Sequence, residues 1–289
     1  DTLQVRNGSC LVYKDYPMRS HRKVRSILTQ NFKGRKGYSG DITESTKKRI
    51  CRTVSVFCQR TKKQVVFNPI TGRKQIFQFG FLTLTVPDLT TNDQSHYYKH
   101  LLKPLLRYLT GRFGKFEYIW KAEVQSRGSI HYHVTLNHFI PFNYILSKWN
   151  ELLDKNGLME NFKTQYGHNN PNSIDLHSVR NVTNLEAYLI KYIAKKDKNG
   201  YSFKGKVWGC SETLQGAKYF AEWLTVEAKD KITDLAKKGG LVIKHLEQCT
   251  IIRFIRGYSL NDISNSIYNS YLDWCGLQRV LPINSISCN

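Results

Sequence analysis

A chain of 289 residues is long enough for one large domain or two smaller ones. It carries 44 Lys and Arg against 22 Asp and Glu, and this net charge of +22 favours a polyanionic partner, either nucleic acid or an anionic membrane surface. Hydrophobic residues make up 40% of the chain, which argues against wholesale disorder. No segment reaches the ~18 uninterrupted apolar residues of a spanning helix, so we expect nucleic acid and no membrane.

The cysteines exclude two common kinds of stabilised fold. Seven cysteines are irregularly spaced and form no C-x-x-C pair, so the sequence predicts neither a zinc site nor a disulfide framework. We expect free thiols in a reducing cytoplasm. The first residues contain no signal-like apolar core, and because no Met begins the chain we expect the natural N-terminus to lie upstream.

The N-terminal fifth of the chain differs in character from the rest. It is polar and strongly basic, without a stable apolar period, which predicts a basic arm over residues 1–49. Two apolar runs at 52–57 and 63–67 then flank a polar stretch and predict a β-hairpin. In the next run Thr83 and Thr85 alternate with apolar residues, a pattern typical of a strand with one buried face.

Helical and strand patterns are interleaved along the remainder of the chain. The predicted elements are a helix at 93–110, a β-hairpin at 115–136, a helix at 141–157, a strand at 174–179, an amphipathic helix at 183–196, and helices at 213–239 and 241–256. Tight turns join the strand pairs, whereas a parallel sheet needs long connections. We therefore expect an α+β fold, with an antiparallel sheet and helices packed against it.

The stretch SIHYHVTL in the second strand of that hairpin carries two histidines. Successive side chains of a strand point to opposite faces, so His131 and His133 share one face. Such a pair can be metal ligands, a proton relay or two ordinary solvated side chains. The residues themselves do not decide between these alternatives.

A carboxylate on the partner strand favours the metal alternative. Folding at the turn is expected to place residues 123–125 opposite residues 131–133, within cross-strand reach. Glu123, Gln125 or both could then approach an ion. Two imidazoles with a carboxylate suit Mn²⁺ or Mg²⁺ and leave positions open for phosphate oxygens.

The amphipathic helix carries a second polar constellation. Tyr188, Lys191, Tyr192 and Lys195 follow the spacing i, i+3, i+4 and i+7 and form one stripe. Such a stripe is commonly a solvated helix face. Phenols have a free pKa of about 10, but neighbouring ammonium groups favour the nucleophilic phenolate and can also hold a phosphate. Together with the histidines, the stripe predicts a phosphate-cleaving site.

These motifs resemble those of a known family, the HUH endonucleases, which are replication initiators of rolling-circle plasmids and small single-stranded DNA viruses and phages. IHYHVTL (130–136) is similar to the His-hydrophobic-His motif, and YLIKYIAKK (188–196) to the two-tyrosine Y-x-x-K-Y motif. FLTLT (81–85) stands where the family's first motif belongs. Residues 118–133 are also similar to a replication-protein signature of bacterial plasmids and phage-like elements. The resemblance covers roughly residues 76–210.

The resemblance implies a fold and a division of the chain. The family fold is an antiparallel sheet of about five strands, flanked by helices, with the histidines on the central strand. We expect this HUH endonuclease domain at 50–210. The basic N-terminal arm at 1–49 would precede it, and a mainly helical C-terminal extension at 211–289 would follow it.

The resemblance also implies the metal ligands. His131 and His133 would bind a divalent ion, Mn²⁺ or Mg²⁺, with Glu123 as the third ligand. The residues expected to contact DNA are Lys195, Lys196 and Arg127.

The tyrosines would supply the nucleophile. The resemblance implies that Tyr188 or Tyr192 attacks a phosphodiester of single-stranded DNA. The products would be a 5′-phosphotyrosyl enzyme and a free 3′-hydroxyl. Lys191 would balance charge at the phosphate or steady the tyrosine.

The sequence thus predicts a replication-initiator endonuclease that nicks and rejoins single-stranded DNA at an origin, which we expect to form a hairpin. An HUH transposase or relaxase is one alternative, and a non-catalytic basic protein that binds single-stranded nucleic acid is another. No G-x-x-x-x-G-K-[ST] motif occurs, so a separate helicase and host replication proteins are expected as partners, in the cytoplasm of a bacterial host.

Overall fold

The structure is a computed structural model that describes residues 1–6, 9–14, 42–68, 71–87, 94–125, 129–178, 185–193, 205–246 and 249–276. The chain divides into two compact units, a larger one of residues 34–217 and a smaller one of residues 1–33 with 218–289. Within the described residues no helix is long and apolar enough to span a membrane. The six described cysteines are free thiols, as predicted.

The helices and strands are numbered in chain order. They are β1 (Thr2–Arg6), β2 (Ser9–Tyr13), α1 (Glu44–Arg60), β3 (Gln64–Asn68), β4 (Arg73–Phe77), β5 (Gly80–Val86), α2 (Gln94–Tyr97), a π-helical segment (Tyr98–Leu102), α3 (Lys103–Phe113), β6 (Tyr118–Val124), β7 (Ile130–Leu136), α4 (Phe142–Lys155), α5 (Glu160–Tyr166), β8 (Ile174–Ser178), α6 (Leu185–Ile193), β9 (Trp208–Cys210), a 3₁₀ turn (Glu212–Leu214), β10 (Ala221–Trp223), α7 (Val226–Lys237), β11 (Leu241–His245), β12 (Thr250–Phe254), α8 (Leu260–Ile263) and α9 (Asn265–Trp274).

The larger unit is built on a five-stranded antiparallel sheet with the order β8-β5-β7-β6-β9. Helices flank this sheet, and β7, which carries the two histidines, is its central strand. The predicted α+β class with a five-stranded antiparallel sheet is therefore confirmed. The arrangement is consistent with an HUH-type fold.

One face of this sheet forms the core of the larger unit. Trp149 of α4 packs edge to face against Tyr132 of β7, and Tyr98 stacks on Trp120 of β6. The alternation of apolar residues along the strands creates this face. Its buried side chains are Leu82, Leu84, Val86, Trp120, Ala122, Val124, Ile130, Tyr132 and Val134.

Trp149 also supports the strand next to the histidines, which leads to a stability prediction. Its indole Nε1 donates a hydrogen bond of 3.0 Å to the carbonyl oxygen of Thr85, and the side chain is fully buried. Trp149→Phe leaves that acceptor without its donor, so we expect the free energy of unfolding to fall by about 1–3 kcal/mol. Urea denaturation followed by circular dichroism measures it. The control Trp223→Phe, at a 66% exposed site, should stay within about 0.5 kcal/mol of the parent, and an equal loss in both variants would contradict the prediction.

Helices α1 and α6 pack against each other, and Tyr192 of α6 contacts the opposite face of the sheet. Residues 52–57, predicted as a strand, belong to α1, and this prediction is wrong. Ile50, Val54 and Phe57 are buried at the helical spacing i, i+4 and i+7, so periodicity prevails over the strand preference of the β-branched residues. The hairpin is instead formed by β3 and β4, a separate two-stranded sheet.

The smaller unit has its own five-stranded antiparallel sheet with the order β10-β1-β2-β12-β11. One face of the sheet packs with α7, α8 and α9 into a hydrophobic core. The core residues contributed by the strands include Leu3, Val5, Cys10, Leu241 and Ile252.

The predicted arm and helical extension are corrected by this sheet. Residues 2–13 form two strands rather than an arm, because Leu3 and Val5 alternate with polar residues and are buried. Residues 15–41 of the predicted arm lie outside the described residues. The C-terminal segment is mixed rather than mainly helical, since residues 241–254, predicted as a helix, form the hairpin β11–β12 that completes the sheet.

Candidate functional site

The candidate site lies on the second face of the larger sheet, where three neighbouring strands bring polar residues together. On β7, His133 is paired with Thr83 of β5 and with Lys121 of β6. His131 is paired in the same way with Thr85 and Glu123. The helix α6 approaches this face through its tyrosines.

The observed hairpin register differs from the expected one by two residues. Glu123 is opposite His131, whereas the expected register placed it opposite His133. The backbone N–H of Gln125 donates to the carbonyl of Ser129, so Gln125 lies past the end of the paired histidines. A shift of two residues keeps the same face, because strand side chains alternate with a period of two. Glu123 therefore still shares the face of the histidines.

His133 is the more enclosed of the two histidines. It is 8% exposed, its Nδ1 lies 3.2 Å from the hydroxyl oxygen of Thr83, and its Nε2 lies 3.2 Å from Oε2 of Glu123. Burial, followed by the charges of His131 and Lys121, lowers the pKa of His133 to about 4. The imidazole is consequently neutral near pH 7, and its contact with Glu123 is not an ion pair.

The chemistry of this contact fits a divalent cation. Although Nε2 of His133 is close to the carboxylate, it is buried and makes no hydrogen bond to any described residue. A neutral imidazole whose Nδ1–H is directed to Thr83 presents its lone pair at Nε2. Two adjacent ligands of one ion, each bonded at about 2.1–2.2 Å, stand about 3 Å apart. The separation of Nε2 and the Glu123 oxygen matches this value.

His131 lies beside this pair and is half-buried. Its Nε2 is 3.4 Å from the hydroxyl of Thr85, and the two imidazole rings are 5.9 Å apart. Burial lowers the pKa of His131, and the nearby Glu123 carboxylate opposes that effect. Among the residues that the structure describes, no group of three or more His, Cys, Asp or Glu side chains is placed so as to hold a metal ion. The full set of three ligands remains a prediction.

The tyrosine helix is positioned by its apolar side. Leu189 and Ile193 of α6 are buried, whereas Lys191 is exposed. The ring of Tyr192 meets the ring of His133 edge to face at 5.0 Å and the ring of Phe81 at 5.2 Å. This contact joins two motifs that lie far apart in the sequence.

The two tyrosines occupy different depths. Tyr188 stacks on the outer side of Tyr192, with ring centroids 6.2 Å apart, and it is 39% exposed. Tyr192 is therefore the inner tyrosine, in contact with His133, and Tyr188 is the outer one. The predicted DNA contacts Lys195, Lys196 and Arg127 lie outside the described residues.

Several contacts of the site were not predicted from the sequence. Thr83 and Thr85 were expected only as members of an alternating strand, yet their hydroxyls lie next to the two imidazoles. Phe81 packs between His133 and the tyrosines. Lys121 is 2% exposed, and a buried lysine within the apolar run YIWKAEV was an available signal.

The Thr83 contact leads to a prediction about metal affinity. Thr83→Val removes the hydroxyl next to Nδ1 of His133 at nearly constant volume, so the imidazole is no longer oriented by it. We expect the affinity for Mn²⁺, measured by isothermal titration calorimetry, to fall by about tenfold or more. The control is Thr135→Val, a buried threonine on the same strand as the histidines. Unchanged affinity in Thr83→Val, or equal losses in both variants, would disprove the role of Thr83.

Comparison with known proteins adds an independent finding. Residues 79–197 match a family model for the replication-associated protein ORF2, which describes a rolling-circle replication-associated family. The matched segment contains both histidines, Glu123 and both tyrosines. Comparison with curated proteins and with solved structures gave no significant match.

Proposed function

We propose that this protein is an HUH-type replication initiator, a metal-dependent endonuclease that nicks single-stranded DNA through a tyrosine and rejoins it. One observation carries the proposal. The ring of Tyr192 touches His133, whose unpartnered Nε2 lies 3.2 Å from the Glu123 carboxylate, so a nucleophile and a cation site adjoin on one sheet face. The match of residues 79–197 to a replication-associated family supports this proposal.

The chain's own residues would divide the work of cleavage. His131, His133 and Glu123 would hold Mn²⁺ or Mg²⁺, which when bound polarises the phosphate oxygens and offsets their charge. A tyrosine loses its phenol proton and bonds to phosphorus while the bond to the 3′ oxygen breaks, and that oxygen takes up a proton. The products are a 5′-phosphotyrosyl link and a 3′-hydroxyl that can prime synthesis.

Lys191 has a distinct part in this proposal. It is exposed on α6, next to Tyr192 in sequence and one helical turn after Tyr188. Its ammonium group can hold the phosphate and favour the phenolate form of either tyrosine. The net charge of +22 would draw the DNA to the protein.

The different depths of the two tyrosines suggest an order of events. We infer that Tyr192, which contacts His133, makes the first cut, and that the more exposed Tyr188 serves the later cut and rejoining. The partners implied are a single-stranded origin able to form a hairpin, a separate helicase and host replication proteins, in a bacterial cytoplasm. A transposase or relaxase would use the same chemistry on other DNA, and the sequence of the joined ends distinguishes these.

The test is direct detection of the covalent intermediate. The protein is incubated with labelled single-stranded oligonucleotides containing hairpins and with Mn²⁺, and the products are separated under denaturing conditions. We expect a protein-linked band that disappears with EDTA. Binding without any linked product, across varied hairpin sequences, would instead favour a non-catalytic nucleic-acid-binding protein.

A further inference from the structure

The β3–β4 hairpin of the larger unit has an exposed apolar face that the proposed chemistry does not use. The residues alternate strictly, and the paired residues Val65 and Ile76 point outward together with Phe67 and its partner Lys74. Val65 is 72% exposed, Phe67 60% and Ile76 65%. We call these four residues the outer face. Large apolar side chains exposed together mark a surface that binds something.

The opposite face of the hairpin is anchored, so the outer face is not a misplaced core. Phe77 is 4% exposed and packs edge to face against Phe139 at 5.7 Å. The side-chain amide of Gln64 donates to the carbonyl of Asn137 at 3.0 Å, and that of Gln78 donates to the carbonyl of Thr61 at the same distance. These contacts attach the hairpin to the larger sheet through its inner face alone.

The charge around the outer face is of one sign. Between Glu44 and Asp88 the sequence contains no acidic residue. The cations in that interval are Lys47, Lys48, Arg49, Arg52, Arg60, Lys62, Lys63, Arg73 and Lys74. Four of them, Lys62, Lys63, Arg73 and Lys74, are exposed within or next to the hairpin.

This combination selects among possible occupants. A second copy of the same face would bring cations against cations, which opposes self-association. A polyanion satisfies the charge, and unpaired bases supply flat apolar surfaces that stack on an exposed aromatic ring. Duplex DNA offers phosphates but keeps its base faces stacked inside, where Phe67 cannot reach them.

We propose that the outer face of the β3–β4 hairpin is a second contact for unpaired DNA, with a base stacked on Phe67 and phosphates held by the flanking lysines and arginine. The inference rests on the proposed function for the identity of the nucleic acid. Its location agrees, because β5 follows the hairpin directly and Thr83 lies three residues after Gly80, about 10 Å along the strand. The hairpin thus holds DNA that flanks the nick site.

Binding measured without cleavage tests this inference. In the background Tyr188→Phe/Tyr192→Phe, with EDTA present, fluorescence anisotropy measures the affinity for an oligodeoxythymidine of about 30 nucleotides, longer than the 4–16 that one binding fold covers. We expect Phe67→Ala to bind roughly tenfold more weakly. Phe67→Trp should bind as well as the parent or better, because the ring is retained. Phe67→Leu, which is apolar without a flat ring, should behave as Phe67→Ala.

Two matched controls separate this surface from the rest of the protein. Tyr166→Ala removes another exposed aromatic residue of the larger unit, 56% exposed, and should leave the affinity unchanged. Lys63→Gln/Lys74→Gln should reduce the slope of log affinity against log salt by roughly 1.4. Lys155→Gln/Lys163→Gln removes the same charge from lysines paired with Glu151 and with Asp154 and Glu160, and should change the slope less.

Several outcomes would overturn the inference. They are unchanged affinity in Phe67→Ala, full affinity in Phe67→Leu, an equal loss on duplex DNA, a change of oligomeric state in Phe67→Ala, and Phe67-dependent binding to anionic vesicles. Failure of the proposed function looks different, since it means no covalent adduct in the parent protein whatever the hairpin does. A parent that forms the adduct while Phe67→Ala binds normally refutes the hairpin contact alone.

Discussion

Replacing both Tyr188 and Tyr192 with Phe is expected to abolish the covalent protein–DNA adduct. Each substitution removes only a hydroxyl, so the rings still pack against each other and against Phe81. Because no other phenol is placed on this helix face within residues 185–193, the expected loss is roughly 10⁴-fold or more, to below detection. Denaturing electrophoresis of labelled DNA after reaction with Mn²⁺ measures the adduct.

The single variants assign the order of the two tyrosines. If Tyr192 makes the first cut, Tyr192→Phe loses most of the adduct, whereas Tyr188→Phe retains it but fails to rejoin strands after a second cut. Tyr166→Phe, on an exposed helix of the same unit, is the control and should react normally. An adduct that persists in the double variant would disprove tyrosine-linked cleavage.

His133→Ala is expected to remove both metal binding and cleavage. It deletes the Nε2 atom that lies 3.2 Å from the Glu123 carboxylate and leaves that carboxylate as an incomplete site. We expect the affinity for Mn²⁺ to fall by roughly a hundredfold or more and adduct formation by about 10²–10⁴-fold. Calorimetry measures the first effect and electrophoresis the second.

A readout independent of activity accompanies this prediction. An ion bound only by the folded state raises the free energy of unfolding, by about 2.7 kcal/mol when its concentration is a hundred times the dissociation constant. We expect Mn²⁺ to raise the melting temperature of the parent and of His168→Ala, an exposed histidine on a loop, but not that of His133→Ala. Equal stabilisation of all three proteins would place the ion elsewhere.

The sheet of the larger unit shows which predictions a local pattern supports. The β6–β7 hairpin and the helix α4 were found because a short turn or a helical period appears within one stretch of sequence. Residues 52–57 were misassigned because β-branched residues favour a strand locally, and the partners that bury Ile50 and Phe57 lie elsewhere in the chain. The same reason applies to β1 and β2, whose sheet is completed by strands from the other end of the chain.

The candidate site divides in the same way. By itself the sequence determined that His131 and His133 share a face, that Glu123 shares it too, and that Tyr188 and Tyr192 form one helical stripe, because these relations follow from the periods of strand and helix. It did not determine the pairing of β5 with β7, since those strands are distant in sequence and their register depends on packing.

Only the tertiary structure decided how these groups meet. It placed Thr83 beside Nδ1 of His133, set the ring of Tyr192 rather than that of Tyr188 against that histidine, and left the outer face of the β3–β4 hairpin exposed. Each of these depends on contacts between segments that no local period relates. Alternation could therefore assign a side chain to a face, while its neighbour across the sheet was decided by which strands and helices pack together.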